Sequence, residues 1–231
     1  MIVRPIKRHE AAQFCLEHPH APSLPKSSAY YFAAFEKCKF IGLAVWGWGI
    51  VPKRTPIKLF GKGKLTDYLE LNRFFVVDDA DKNTPSKFLS ITHKILKKYL
   101  PKLKYLTTYA AGFQGLVGTI YQAAGYDYIG KQKVSFYWLP NKGLIHNISL
   151  WHRYSKTDYK FLIKKLGNVK KLNGYNFCYI YFLRDKERLL KMARFKILPY
   201  PKKEEIKIWD ESGNIIEIEV AKKIPLLKLR S

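Results

Sequence analysis

Five segments of regular secondary structure are predicted within a stretch of 72 residues, and their order restricts the fold more than any other feature. Residues 68–77 alternate between polar and apolar and then become continuously apolar, the pattern of a buried strand. Residues 84–100 have apolar side chains at three- and four-residue spacing, which predicts a helix. A strand is predicted over 104–109, a short helix around Tyr121, and one long strand or a hairpin over 128–139. This order requires a parallel crossover, so the sequence predicts an α+β fold with a mixed sheet covered by helices.

The flanking segments predict hairpins and a loop. Residues 29–36 and 40–50 are apolar and aromatic and are separated by a short polar turn, which indicates a hairpin. Residues 52–66 are rich in Pro, Lys and Gly and predict a loop. Residues 204–209 and 215–220 predict an accessory hairpin for packing or self-association.

The chain is predicted to have three consecutive parts. Residues 1–140 form the core, residues 141–203 a basic, aromatic-rich extension packed on it, and residues 204–231 the accessory hairpin and tail.

The segment around Tyr121 resembles the way in which acetyltransferases of the acyl-CoA type present a general acid. An aliphatic residue precedes Tyr121, and Gly125 follows four residues later, with Tyr126 after it. Gly125 is predicted to end the helix in the left-handed conformation. Tyr121 is then either an exposed proton donor or an aromatic residue that packs the helix.

The start of the helix over 84–100 predicts an anion site. Thr84 is a candidate helix cap and Pro85 suits the first helical position. In an acetyltransferase-like fold the preceding loop binds the pyrophosphate of the acyl carrier through N–H groups at the helix N-terminus. Residues 78–83 instead contain three carboxylates and no glycine, so either the donor is not coenzyme A or it lies differently.

Charged residues interrupt the apolar strand over 68–77. By the two-residue period, Glu70 and Asn72 share one face and Arg73 takes the other. Charges in such a strand are costly unless they are paired or functional. Glu70 and Arg73 are therefore either a structural ion pair or a base and an anion clamp.

The formal charge of +24 predicts a polyanionic partner, with nucleic acid as the first candidate. Residues 141–203 contain sixteen basic and three acidic side chains, interleaved with aromatic residues. This composition suits phosphate contacts flanked by stacking rings, although a solvated Lys-rich face over aromatic core residues gives the same pattern. Trp46 and Trp48 are likewise either stacking residues or hairpin core.

Other composition features exclude several classes. No run has the roughly 18 to 20 apolar residues of a membrane span, and no apolar segment follows the N-terminus as in a signal peptide, so we expect a cytoplasmic location and no membrane partner. Cys15, Cys38 and Cys178 are predicted to be buried free thiols. His18 and His20 could act as a base, contact phosphate or bind a metal; without a third ligand, no metal site is predicted.

Segments in one order and at similar spacing resemble the Mom family of phage DNA-modification proteins. They are Glu-Leu-Asn-Arg at 70–73, Asp-Asp at 78–79, Asn-Thr-Pro-Ser at 83–86, Thr-Tyr-Ala at 108–110 and Gly-Leu-Val-Gly-Thr-Ile-Tyr-Gln-Ala at 115–123.

Three further segments extend this resemblance toward both ends of the chain. A His-rich segment at 18–22, a strand at 179–183 and a basic Pro-Tyr-Pro-Lys segment around 198–202 are also similar to segments of such proteins. The resemblance covers residues 16–203.

This resemblance implies an acetyltransferase-like (GNAT) fold and a modification of adenine in double-stranded DNA. The family adds a carbamoylmethyl group to the exocyclic amine, which protects phage DNA from host restriction enzymes. An acyl-CoA-like donor or an aminoacyl group from tRNA would supply the transferred group. The catalytic candidates are Tyr121, Glu70, Asp78, Tyr109 and His20; the donor-binding candidates are Asn83, Thr84, Ser86 and Arg73; the nucleic-acid-binding candidates are His18, Lys164, Lys165, Lys170, Lys171 and Arg184.

Two departures from the family pattern leave alternatives open. Ala111 and Leu116 stand where relatives have an aspartate and a histidine. The alternatives are an N-acetyltransferase acting on a protein or small-molecule amine, and an inactive nucleic-acid-binding module.

Overall fold

A computed structural model describes residues 1–17, 24–139, 143–147, 150, 154–156 and 158–216. The predicted functions of His18 and His20 lie outside the described residues. The chain divides into two compact units, which are not contiguous in sequence. The first contains residues 1–109, 119–130 and 178–200, and the second contains residues 110–118, 131–177 and 201–231. The predicted division at residues 140 and 203 stays a prediction.

The described strands are β1 (Ile2–Pro5), β2 (Ser28–Glu36), β3 (Lys39–Gly47), β4 (Tyr68–Val76), β5 (Tyr105–Ala111), β6 (Asp127–Leu139), β7 (Gly143–His146), β8 (Lys170–Phe182), β9 (Ile208–Asp210) and β10 (Ile215–Ile216). The described helices are α1 (Arg8–Glu17), α2 (Arg54–Phe60), α3 (Thr84–Tyr99), α4 (Thr119–Ala123), α5 (Tyr159–Leu166) and α6 (Lys186–Met192). Short 3-10 turns occupy Leu65–Asp67, Gly112–Gln114 and Lys203–Glu205.

Hydrogen bonding orders the strands as β1-β2-β3-β4-β5-β8-β6-β7, and β9 pairs with both β8 and β10. The β4–β5 pair is parallel, whereas β1–β2, β2–β3 and β3–β4 are antiparallel. The predicted α+β class with a mixed sheet is therefore confirmed. Among the described residues, none of the helices combines the length and the apolar composition that a membrane span requires.

The predicted hairpin and the predicted central strand are both present. β2 and β3 pair through a turn in which Lys37 and Cys38 have positive φ angles of 46° and 63°. β4 occupies the predicted segment, and its alternate residues reach opposite faces of the sheet. β6 is one long strand.

The prediction of a loop over residues 52–66 is wrong, because this segment contains α2. Pro56 lies in the first helical turn, where its missing N–H costs nothing, and Gly61 ends the helix at a φ of 75°. Phe60 packs with Tyr68 and Tyr105, so burial of an apolar face stabilises a helix that its composition did not predict.

Helix α3 begins where the sequence predicted it, with Pro85 in its first turn. The N-cap residue is Asn83 rather than Thr84, which is already helical and buried. Gly125 has a φ of 80°, so it ends the turn after α4 in the predicted left-handed conformation.

Each unit has its own hydrophobic clusters. In the first unit, α1 packs on β2, β3 and β4, and a second cluster joins α2, β4, β5, β8 and α6. In the second unit, α5 packs on Tyr137 and Leu139 of β6, and Phe113 packs on Phe136, Leu172 and Ile208.

The first strand of the predicted C-terminal hairpin is β9, which begins at Ile208 rather than at residue 204, and residues 217–220 of the predicted second strand lie outside the described residues. β9 and β10 pair around a turn that contains Gly213 at a φ of 88°. The three cysteines form no disulfide, and the prediction that all are buried is wrong for Cys38, which is exposed at the β2–β3 turn.

Candidate active site

Strands β4 and β5 run parallel for three residue pairs and then separate. Residues 68–70 pair with residues 105–107, and in the part of the chain that the structure describes the two strands do not pair beyond Glu70 and Thr107, although both continue. The separation leaves N–H and C=O groups on the facing edges available to a ligand. The residues that follow Glu70 and Thr107 therefore lie beside a gap between the two strands.

A β-bulge decides which face of β4 its polar side chains occupy. Arg73 and Leu71 lie opposite consecutive residues of β3, so Asn72 is an extra residue. Because a bulge leaves two neighbouring side chains on one side, Asn72 and Arg73 both lie on the face of Glu70. The prediction that Arg73 takes the other face is wrong, since the two-residue period does not hold across the bulge.

The Glu70 carboxyl group is largely removed from water. Burial raises its pKa from 4.5 to about 7. Among the described residues, none forms a hydrogen bond or an ion pair with Glu70, so of the two alternatives for Glu70 and Arg73 the structural ion pair is not formed. The carboxyl oxygens lie against Gly49: a Cβ atom at that position would be 2.4 Å from both oxygens. A side chain at residue 49 would displace the carboxyl group.

Hydroxyl and thiol groups surround Glu70. Burial and the Glu70 carboxylate both raise the pKa of Tyr109. Burial also raises the pKa of Cys178 to about 12; Lys58 opposes the shift and Glu70 adds to it. Thr107 is opposite Glu70 in the register and is 3% exposed, and no described residue is a hydrogen-bond partner for its hydroxyl. This face therefore combines a carboxyl group that titrates near neutral pH with groups that remain protonated.

Tyr121 is half-buried, so the prediction of an exposed side chain is wrong. Its ring packs on those of Tyr126 and Tyr179, at centroid distances of 5.8 and 5.7 Å. Burial raises the pKa of Tyr121, and the nearby Thr108 side chain lowers it in part. The Thr108 hydroxyl makes no hydrogen bond of good geometry with a described residue. Tyr121 remains a phenol at neutral pH, as a proton donor must.

The structure brings Glu70 and Tyr109 together but places Tyr121 on the other face of the sheet. Thr108 and Tyr109 are consecutive in β5 and point to opposite faces. Tyr121 lies beside Thr108, whereas Glu70 lies beside Tyr109. The two sets of side chains therefore lie near the end of the β4–β5 pairing, on opposite faces of the sheet.

Helix α3 contributes a buried histidine that the sequence reasoning missed. His93 is 2% exposed, and its Nε2 shares a 2.9 Å hydrogen bond with the Tyr126 hydroxyl. Burial lowers its pKa to about 3, so the ring is neutral at physiological pH. Its spacing from Leu89 and Leu96, on the apolar face of the helix, was the signal that could have revealed it.

The hydrogen bond between His93 and Tyr126 yields a testable prediction. Tyr126→Phe removes the hydroxyl and leaves a buried ring nitrogen without its partner, so the free energy of unfolding should fall by about 1–3 kcal/mol. Tyr200→Phe is the matched control, because that hydroxyl donates to the Tyr126 carbonyl oxygen from a side chain that is 46% exposed. Urea unfolding measures the free energy of unfolding of both variants. An equal loss in the two variants would contradict the larger effect expected for the buried hydrogen bond.

The other predicted donor-binding residues lie at the start of α3. The Ser86 hydroxyl donates to the Asn83 carbonyl oxygen, and Thr84 is buried. Asp79 pairs with Lys39 across 3.2 Å, with both side chains exposed. Asp78 lies in the same loop. Three carboxylates before this helix do not fit a pyrophosphate group.

Trp46 is not a candidate for stacking on a base. It is fully buried and contacts His93, so it belongs to the core. Trp48 is half-buried, and its indole N–H donates to the Leu65 carbonyl oxygen.

The predicted DNA-binding residues lie in both units. In the second unit Lys164, Lys165 and Lys170 are exposed, and Lys171 pairs with Glu211 at 2.9 Å. In the first unit Arg184 donates to the carbonyl oxygen of Lys97 in the last turn of α3 and to that of Leu103 after the helix, so it holds this helix end in place.

Comparisons with known proteins are consistent with the residue pattern. A family model described as the Mom protein family matches residues 1–202. The "Methylcarbamoylase mom" of Escherichia phage Mu is 28% identical over 183 residues, which are 76% of this chain and 73% of that protein.

Solved structures with similarity to this chain include acetyltransferases. The aminoglycoside 6'-N-acetyltransferase from Enterococcus faecium has a TM-score of 0.43 at 11% identity, covering 80% of this chain and 98% of the other. A probable acetyltransferase from Staphylococcus epidermidis has a TM-score of 0.43 at 12% identity, covering 78% and 98%. Similarity at this level transfers no substrate.

Proposed function

Because the chain belongs to the Mom protein family, we propose that it is a transferase that adds a carbamoylmethyl group or an acyl-type group to the exocyclic amine of adenine in DNA. The name of the phage Mu relative, a methylcarbamoylase, supports the type of group. In phage DNA this modification would protect the genome from host restriction enzymes.

The observation that carries the proposal is the half-buried Glu70 side chain, with its raised pKa, where the β4–β5 pairing ends. The adenine amine is a poor nucleophile, because its lone pair is delocalised into the ring, and its attack requires a base. A base is most effective when its pKa is near the working pH, and the pKa of Glu70 is about 7. Glu70 accepts the proton that the nitrogen loses as its bond to the transferred carbon forms.

Tyr121 and Tyr109 complete the proposed chemistry. Tyr121, which stays protonated because burial raises its pKa, donates a proton to the leaving group from the opposite side of the gap. Tyr109 lies beside Glu70 and donates a hydrogen bond to the substrate. Arg73 lies on the same face as Glu70 and stabilises negative charge on the donor.

A carbamoylmethyl group is transferred through its methylene carbon, so its donor must bear the leaving group on that carbon. An acyl-type group would instead be transferred through its carbonyl carbon, from an acyl-CoA-like thioester or an aminoacyl ester, with the thiolate or alkoxide as the leaving group. The carboxylates before α3 argue against a pyrophosphate at that helix start. We therefore assign the donor to the β4–β5 gap itself. At most the edge of this donor site is lined by Asn83, Thr84 and Ser86.

Charge and geometry favour DNA as the acceptor. A formal charge of +24 attracts a polyanion strongly at moderate ionic strength. A buried base such as Glu70 cannot reach an amine inside the stack, so the adenine must be extruded before transfer.

The proposal predicts a heavier deoxyadenosine in DNA from cells that express the chain. Plasmid DNA is digested to nucleosides and examined by mass spectrometry. Tyr121→Phe should reduce the modified fraction by about 10²-fold, because it removes the proton donor. Tyr99→Phe, at an exposed tyrosine of α3, is the matched control and should leave it unchanged.

Two results would contradict this proposal. Unmodified deoxyadenosine from well-expressed, folded protein would exclude DNA modification. Acetylated proteins or small-molecule amines in the same cells, with unmodified DNA, would favour the alternative N-acetyltransferase activity.

A further inference from the structure

Lysine side chains lie over aromatic rings on one sheet face of the second unit. The Lys131 ammonium group is 5.8 Å from the ring centroid of Tyr175 and 5.7 Å from that of Phe177. The Lys133 ammonium group is 5.5 Å from the ring of Trp209. Both lysines are exposed, so these cations lie between the rings and water.

The register of the strands joins these pairs into one surface. Asn173 of β8 is opposite Trp209 of β9, and its side chain accepts a 2.8 Å hydrogen bond from Ser135 of β6. The rings of Tyr175 and Trp209 are 4.9 Å apart and both are half-buried. We define the stacking surface as Lys131, Lys133, Tyr175 and Trp209.

We propose that the stacking surface binds the unpaired bases of single-stranded DNA. The choice of DNA rests on the proposed function, in which an adenine leaves its duplex. Neighbouring aromatic rings and basic side chains on an open sheet are the arrangement by which nucleic-acid-binding domains stack on bases and contact the adjoining phosphates.

The lysines favour single-stranded DNA because each ammonium group can exchange its contact with an aromatic ring for a contact with a phosphate. An exposed ammonium group over a ring is held weakly, and a base that stacks on the same ring is held more strongly. Displaced from the ring, the ammonium group reaches the phosphate beside the base. The stacking surface thus offers both a ring and a cation for each nucleotide.

Nearby acidic side chains do not prevent this exchange. Glu205 is 2.8 Å from Lys131, but both side chains are partly exposed, at 42% and 32%, so a phosphate can replace the carboxylate. Lys133 has no carboxylate within ion-pair distance in the part of the chain that the structure describes.

Single strands fit this surface better than a duplex. The faces of duplex bases are already stacked on one another, and the grooves present only base edges. The rings of Tyr175 and Trp209, whose planes are inclined by 50°, can contact base faces, which an unpaired strand exposes.

The test compares binding of a dye-labelled single strand and of its duplex to the purified full chain by fluorescence anisotropy, without donor. The double variant Tyr175→Leu, Trp209→Leu should weaken single-strand binding by at least about 10-fold and duplex binding by less than about 3-fold. Trp138→Leu is the matched control, because Trp138 lies on the opposite face of β6 with the Lys170 ammonium group 5.5 Å from its ring. It should leave both affinities unchanged.

A second variant avoids dependence on the packing of the rings. Lys131→Ala, Lys133→Ala changes exposed side chains and should lower single-strand affinity and reduce the slope of its salt dependence by about 1.4, which is about 0.7 for each lost phosphate contact. If circular dichroism shows that the Tyr175→Leu, Trp209→Leu variant does not fold, the binding measured for the lysine variant decides the result.

Other outcomes overturn the inference. Unchanged single-strand binding in the lysine variant would exclude the stacking surface, and equal or tighter binding to RNA of the same sequence would exclude DNA as its occupant. Because binding is measured without turnover, failure to find modified deoxyadenosine leaves this result independent of the proposed function.

Discussion

Replacing Glu70 with glutamine is expected to lower the rate of adenine modification by about 10²- to 10⁴-fold, the usual contribution of a general base. Glutamine keeps the shape of the side chain beside Gly49 but cannot accept a proton. The modified fraction of deoxyadenosine, followed over time after induction, measures the change. Glu36→Gln is the matched control, since Glu36 lies at the exposed end of β2 and contacts the N-terminal amino group.

The pH dependence distinguishes a base from a positioning residue. With the pKa of Glu70 at about 7, the rate in cell extracts should rise tenfold per pH unit below pH 7 and level off above it. The residual rate of Glu70→Gln should lack this rise. A variant with normal activity, or one that keeps the same pH profile, would exclude Glu70 as the base.

The second expected result concerns opposing effects of Glu70 and His93 on stability. Folding raises the pKa of Glu70 from 4.5 to about 7, so between these pH values the folded chain binds the proton more tightly and the free energy of unfolding falls as pH rises. Folding lowers the pKa of His93 from 6.5 to about 3, so between these values the unfolded chain binds the proton and stability rises with pH. Each slope is about 1.4 kcal/mol per pH unit.

Between pH 4.5 and 6.5 the two contributions therefore cancel in the unmodified chain. Glu70→Gln should lose stability on acidification by about 1.4 kcal/mol per unit relative to the unmodified chain, because the effect of His93 is then unopposed. His93→Gln should instead gain stability on acidification relative to the unmodified chain, because the effect of Glu70 is then unopposed. Above pH 7, Glu70→Gln should be more stable than the unmodified chain by about 3 kcal/mol, because it no longer buries a carboxylate.

Urea unfolding at pH 4.5, 5.5, 6.5 and 8 measures these slopes. The double variant Glu70→Gln, His93→Gln is the control, and its free energy of unfolding should run parallel to that of the unmodified chain between pH 4.5 and 6.5, whatever the absolute loss from each substitution. Parallel profiles for the single variants would show that neither side chain has its pKa shifted by folding.

The comparison of prediction and structure for β4 shows why local sequence patterns predict only part of a site. The alternation and apolar run of this segment predicted the strand, and the residues after it predicted the crossover and α3, because strand and helix periods depend on neighbouring residues. The side on which Arg73 lies depends on the β-bulge, which is set by pairing with β3, a strand nearly thirty residues earlier. No period within β4 contains that information.

Burial explains the other differences. Tyr121 lies in a helix of predicted position, and its ring is half-buried because Tyr126 and Tyr179 pack on it. Burial likewise raises the pKa of Glu70, and it comes from the tertiary structure, which places the carboxyl group against Gly49 and near Tyr109 of β5 and Cys178 of β8.

The sequence by itself determined the order of the elements, the mixed sheet, the left-handed Gly125, the basic charge and the resemblance to the Mom family, because each depends on local spacing, composition or motif. Only the tertiary structure decided that Glu70, Asn72 and Arg73 share a face, that Tyr121 lies across the sheet from them, and that His93 pairs with Tyr126. These facts depend on desolvation and strand pairing between residues far apart in the chain, which no local pattern of side chains specifies.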